Sequence, residues 1–169
     1  MNKKIKVIVD DVELEVSVSE EELAKLTEKK KKKTWYERAE NNRPYYAIDT
    51  ENRVFESREA NDSFDYIRYK NANYYTEKNL AENNARADNL MRQLRRFAAE
   101  NCEEVEWDNK AEHWYIRHGM IGGGLDVDIV TYAKDFGAIY FDTEENAQKA
   151  IEIFKDELIW YFTEYRDRV

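Results

Sequence analysis

The sequence predicts an α+β fold: an antiparallel sheet of hairpins packed against two long helices, with an N-terminal ββα motif. Three observations carry this prediction. Alternating apolar runs of strand length recur along the chain, and two long stretches repeat apolar residues at helical spacing. Three times, a strand-like run meets a hydroxyl residue and then an acid-rich helix start. The junctions are Val16-Ser17-Val18-Ser19 before Glu20-Glu21-Glu22-Leu23, Asn73-Tyr74-Tyr75-Thr76 before Glu77-Lys78-Asn79-Leu80, and Tyr140-Phe141-Asp142-Thr143 before Glu144-Glu145-Asn146-Ala147. At each, Ser or Thr can accept from a free N–H of the first helical turn, and the acids complement the positive helix end. Ser19 with Glu22 has the S-x-x-E form of a capping box.

Taken in order, residues 5–9 and 12–18 alternate around Asp10-Asp11 and predict a β-hairpin. A short helix is expected over residues 20–28, followed by five consecutive lysines, Lys29 to Lys33, a solvated linker or helix end. These residues, 1–33, form one expected unit and 34–169 the main α+β domain. A second hairpin is predicted from Tyr45-Tyr46-Ala47-Ile48 and Arg53-Val54-Phe55 around the turn Asp49-Thr50-Glu51-Asn52. Residues 56–71 carry no clean period and are expected to be a loop with one helical turn. Residues 77–100 predict a long helix of ~36 Å, with Leu80, Ala87, Met91, Leu94 and Ala98 on one stripe widened by Leu90 and Phe97. Strands are expected over 114–117, 125–131 and 136–141. A last helix should run from 144 to about 165, its stripe marked by Ala147, Ile151, Phe154, Leu158, Tyr161 and Tyr165. The shared Thr-Glu-x-Asn at Thr76 and Thr143 suggests that the two later junctions are diverged copies of one β-α unit.

The chain has 169 residues, 42% of them hydrophobic and 14% aromatic, enough to build a core although 37% are charged. No apolar run reaches the ~18 residues that would span a bilayer, and residues 1–7 lack the apolar core of a secretory signal. The single cysteine, Cys102, excludes an internal disulfide and suits a reducing compartment. A soluble, cytoplasmic protein is expected, with no membrane partner. The net charge of −9 argues against direct nucleic-acid binding, which depends on neutralising phosphates with Lys and Arg, and favours a basic partner.

No catalytic or metal signature stands out. Cys102, His113 and His118 are too few for a closed zinc site. Asp126 and Asp128 should project from one sheet face, as a solvated pair or as a Mg²⁺ or acid–base pair, but nothing nearby supplies a nucleophile. Gly122-Gly123-Gly124 lacks the following helix of a phosphate loop, and Asp135-Phe136-Gly137 lacks the companion motifs of a kinase. No enzyme activity, cofactor or metal is expected.

Surface features remain. Glu100, Glu103, Glu104, Glu106, Asp108 and Glu112 gather around Trp107 and form a candidate partner-binding surface. Ile153 and Trp160 make a second apolar seam on the last helix, a candidate interface within the chain or in a homodimer. Arg92, Arg95 and Arg96 form a basic group that could take a nucleotide, with Tyr45, Tyr46, Tyr66, Tyr69, Tyr74 and Tyr75 as stacking rings.

From Tyr45 onward the chain resembles a family of small phage and prophage proteins of Gram-positive bacteria. The resemblance rests on Tyr45-Tyr46-Ala47-Ile48, Asp65, Arg68-Tyr69, Asn71, Asn73-Tyr74-Tyr75-Thr76-Glu77, Leu94-Arg95-Arg96-Phe97-Ala98, Glu100-Asn101, Trp114-Tyr115-Ile116 and Ile139-Tyr140-Phe141. It brings no site residues to carry over. What it implies is context: accessory phage proteins of this size bind and disable host defence components. The expected function is therefore a non-enzymatic, anti-CRISPR-like inhibitor that binds a host defence protein, such as a CRISPR nuclease, through its acidic surface. The alternatives are a sponge for a signalling nucleotide and a dimeric scaffold joined at Trp160.

Overall fold

The structure is a computed structural model that describes residues 2–9, 12–19, 36–104, 107, 111–119, 124–132 and 134–165. It is α+β, with antiparallel sheets of two and three strands and three helices among the described residues. The chain forms two compact units, Met1–Glu37 and Arg38–Val169. None of the described helices is long and apolar enough to cross a membrane.

In the first unit, β1 (Asn2–Val9) pairs antiparallel with β2 (Val12–Ser19), in register from Asn2↔Ser19 to Val9↔Val12. The helix expected over 20–28, its Ser19–Glu22 capping box and the Lys29 to Lys33 run lie outside the described residues.

The second unit opens with the hairpin of β3 (Pro44–Ile48) and β4 (Val54–Arg58). Its turn is made by Asp49, whose carboxylate accepts from the N–H groups of Glu51 at 2.9 Å and Arg53 at 2.8 Å. Asn52 takes the left-handed conformation at φ 65 that Asn tolerates better than most residues. Tyr75 adds a single bridge to Tyr46 on the free side of β3, and two residues later the N-cap of the long helix follows.

Three expectations are corrected here. Residues 63–70 are not a loop: Ser63–Lys70 is a helix, α1, started by Asp62, whose side chain accepts from the N–H groups of Phe64 and Asp65. Asp65 reaches back to the Asp62 N–H, so the pair forms a capping box from two aspartates. The long helix α2 (Lys78–Asn101) has Glu77 as its N-cap, with no side-chain capping bond there. The strand expected over 136–141 shrinks to β7 (Tyr140–Phe141), because the chain turns at Asp135–Ala138 with Gly137 at φ 80.

β5 (His113–His118) is the central strand of a sheet ordered β6-β5-β7, with β6 spanning Leu125–Val130. The last helix, α3 (Glu144–Thr163), starts as expected, with Thr143 accepting from the Asn146 N–H at 3.2 Å. It departs from helical geometry at Phe154.

The apolar core joins Leu90 and Leu94 of α2, Phe141 of β7, and Ala147, Ala150, Ile151 and Leu158 of α3. Trp114, Ile116, Leu125 and Val127 pack against it from one sheet face, as period-two alternation requires. A second, smaller core holds Tyr45, Ala47 and Tyr74.

Candidate functional site

Alternation along β5 turns His113, Tyr115 and Arg117 to the face opposite the helices. His113 is buried there because the Trp107 ring stacks on it at 3.6 Å. Lys134 sits over the same indole, 4.6 Å from a ring centroid, and the Tyr140 ring meets it edge-on at 4.8 Å. Trp107 is thus fixed, yet 36% of it remains exposed.

The acidic residues flank this anchor in the sequence. The Glu103 N–H donates to Asp142 at 2.9 Å, tying the segment to the start of α3. Burial pushes the Asp142 carboxyl up, but hydrogen bonds from Asn146, the Glu103 N–H and Cys102 outweigh it, so its pKa lies below the ordinary value. The side chains of Glu103, Glu104 and Glu112 are exposed and form no ion pair with any described residue. Glu100 differs: it is bound by Arg96 at 2.7 Å. Glu106 and Asp108 lie outside the described residues.

The basic group does not converge. Arg96 is engaged by Glu100, Arg95 is exposed, and Arg92 bonds the Asn52 side chain across the hairpin turn. Only Arg92 lines a neighbouring polar cleft of about 660 Å³, which also contains Asp49, Glu51 and Asp88. Asp49 and Glu51 are themselves paired with Arg53, at 3.0 and 2.9 Å. Half of the rings expected for base stacking are buried. Tyr45, Tyr74 and Tyr75 are buried, and the first two stack on each other at 4.0 Å, while Tyr66 and Tyr69 are exposed.

The two residues of the apolar seam part company. Trp160 faces inward, 7% exposed, beneath the Arg86 guanidinium at 3.9 Å. Arg86 is itself held by Glu157 through two bonds of 2.7 and 2.9 Å. Ile153 alone stays exposed. Helical phase placed Trp160 off the main stripe, but α2 closes over that side as well.

Asp126 and Asp128 share a face as expected, and both bind Arg117, at 3.4 and 3.0 Å. Cys102, His113 and His118 do not come together: the histidines are five apart on a strand and so face opposite ways, with His118 beside Phe162. Among the described residues no group of three metal-ligating side chains forms. Gly122 and Gly123 lie outside the described residues.

Two features escaped the sequence. One is a buried polar network beneath α1. Glu59 accepts from two of the Arg38 guanidinium nitrogens, at 3.0 and 2.8 Å, and from the Tyr74 hydroxyl at 2.8 Å. Asp65 receives the Tyr45 hydroxyl at 2.6 Å, and Arg68 donates to that same hydroxyl. The signal available was the D-x-x-D spacing of Asp62 and Asp65. The other is a cavity of about 330 Å³ among α2, α3, β5 and residues 135–139. No protein-family model, curated protein or solved structure matches the chain.

Proposed function

We propose that this chain is a non-enzymatic accessory protein of the phage type that binds and inhibits a host defence protein through its acidic exterior. The partner carries a basic surface, such as the nucleic-acid channel of a CRISPR nuclease, and the encounter takes place in the host cytoplasm. The carrying observation is the pairing pattern around Trp107. Glu103, Glu104 and Glu112 stay solvated without a counter-charge among the described residues, while Glu100, Asp126, Asp128 and Glu157 are matched to arginines. Unmatched carboxylates around a fixed, half-covered indole combine charge steering with an aromatic anchor. In the same reading residues 1–33 complete a ββα motif ending in the lysine run, and the sheet of hairpins with its two long helices is the platform for the acidic segment.

The test is capture from infected host lysate with mass-spectrometric identification, followed by association measured against salt. Binding should weaken steeply as ionic strength rises. The triple variant Glu103→Lys, Glu104→Lys, Glu112→Lys should lose at least about tenfold in affinity. Unchanged affinity in that folded variant overturns the acidic docking surface.

A further inference from the structure

We propose that the outer face of α1 joins two copies of this chain, the helix packing antiparallel against the same helix of the second copy. Phe64, Tyr66 and Ile67 stand outward, 52% to 67% exposed, while Asp65 points into the molecule and is 2% exposed. At about 100° per residue, Ile67 and Lys70 form the outermost line, with Phe64 and Tyr66 on its two flanks. An apolar patch of this kind on a helix is a contact surface rather than a solvated face.

The polar network beneath α1 holds the helix in this orientation. Asp65 accepts from the Tyr45 hydroxyl at 2.6 Å and from the Ala60 N–H at 2.7 Å. The Arg68 guanidinium donates to that hydroxyl and lies over the Phe55 ring, 5.0 Å from its centroid. The inward side of the helix is thus pinned by polar groups, and its apolar residues are left for the outside. A face fixed in advance loses little conformational freedom when a partner arrives.

Charge selects the second copy as the occupant. Lys70 is exposed at the helix end and forms no ion pair with any described residue. Asp62 is exposed at the helix start and accepts its cap bonds through Oδ1, so Oδ2 carries no bond among the described residues. An antiparallel pair centred between Tyr66 and Ile67 sets Lys70 of each copy beside Asp62 and Ser63 of the other. It also opposes the two helix dipoles and covers Ile67 with the aromatic flanks. A basic partner of the acidic segment around Trp107 would instead meet the unmatched Lys70 here. Covering Phe64, Tyr66, Ile67 and Tyr69 removes about 400 Å² per copy from water, below the ~1,200 Å² total of a standard interface even when doubled. The dimer is therefore weak and dissociates on dilution. It does not depend on the acidic segment.

The experiment is analytical ultracentrifugation of the full chain over a dilution series, with circular dichroism to confirm that each variant is folded. A reversible monomer–dimer equilibrium is expected, and Ile67→Lys should weaken it at least about tenfold. Lys70→Glu should weaken it by setting like charges against Asp62, and adding Ser63→Lys should restore it, because positions 63 and 70 face each other only in the antiparallel pair. Ile67→Cys should cross-link on mild oxidation, whereas Ile153→Cys, at least as exposed on α3, should not. A monomer at every concentration overturns the proposal and leaves the face to another part of the chain or another protein. Dimerisation undiminished by Ile67→Lys, or no recovery in the Ser63→Lys, Lys70→Glu chain, overturns it equally.

Discussion

The two sheets of the second unit share a plan and differ in what holds them. Each has a central strand flanked by a hairpin partner and by a very short third segment, which leads within two residues to the N-cap of a long helix. Tyr75 and Phe141 are the equivalent bridge residues, and both are buried. Around β3 the interior is polar: two stacked phenols and two buried carboxylates, Glu59 matched by Arg38 and Asp65 by the Tyr45 hydroxyl. Around β5 it is aliphatic and aromatic. One topology thus tolerates two kinds of interior, and in the polar one the buried carboxylates find partners. Glu59 does so completely: both its oxygens are bonded, to Arg38, to Tyr74 and to the Asn61 N–H.

The contrast can be broken from either side. The largest loss is expected from Trp160→Ala, about 4 kcal/mol of unfolding free energy, read by chemical denaturation; sedimentation should show an unchanged oligomeric state, since the ring is already covered within the chain. Leu94→Ala should cost about 3 kcal/mol through its cavity, with little dependence on pH. Glu59→Ala should cost a similar ~3 kcal/mol by leaving the Tyr74 hydroxyl and its neighbours unmatched, but its penalty should shrink in acid. The sign follows from the carboxyl groups. Glu59 is held below its ordinary pKa first by hydrogen bonding from Arg38, against burial, then by Tyr74 and the Asn61 N–H. For Asp65 burial pushes up most, yet hydrogen bonds from Tyr45 and the N–H groups of Ala60 and Asp62 outweigh it and leave it lowered. Carboxyls lowered on folding stabilise above their unfolded values, and that contribution is lost as pH falls through the folded ones. Amide exchange should therefore show protection of β3 and β4 declining below about pH 4 before that of β5 and β6. Thr143→Ala should be the mildest change, about 1 kcal/mol, through loss of the cap on α3.

Periodicity made the frame legible. The hairpin around Asp49, the long stripes of α2 and α3 and the Thr143 cap follow from local patterns that burial reinforces. The errors arose where local pattern and tertiary contact disagree. α1 exposes Phe64, Tyr66 and Ile67 and buries Asp65, the reverse of an amphipathic helix, so no apolar period announces it. β7 looked longer because Phe136 and Ile139 to Phe141 carry strand-like residues, but Gly137 breaks the run. At the candidate site, sequence placed the acids together but could not show which would meet arginines. Arg96, four residues before Glu100 on one helix, was the single pairing visible in advance. Arg117 and the two aspartates of β6 required the strand register.

The placement of the indoles has a practical consequence. Trp107 and Trp114 sit at the apolar sheet and Trp160 on α3, the fourth tryptophan, Trp35, lies outside the described residues, and β3, β4 and α1 contain none. In a Trp35→Phe chain, fluorescence excited at the red edge therefore comes from Trp107, Trp114 and Trp160, and a near-ultraviolet circular dichroism band from the stacked Tyr45 and Tyr74 would report on the tyrosine-rich half instead. A single unlabelled sample of that variant carries two optical channels, one for each way of building an interior.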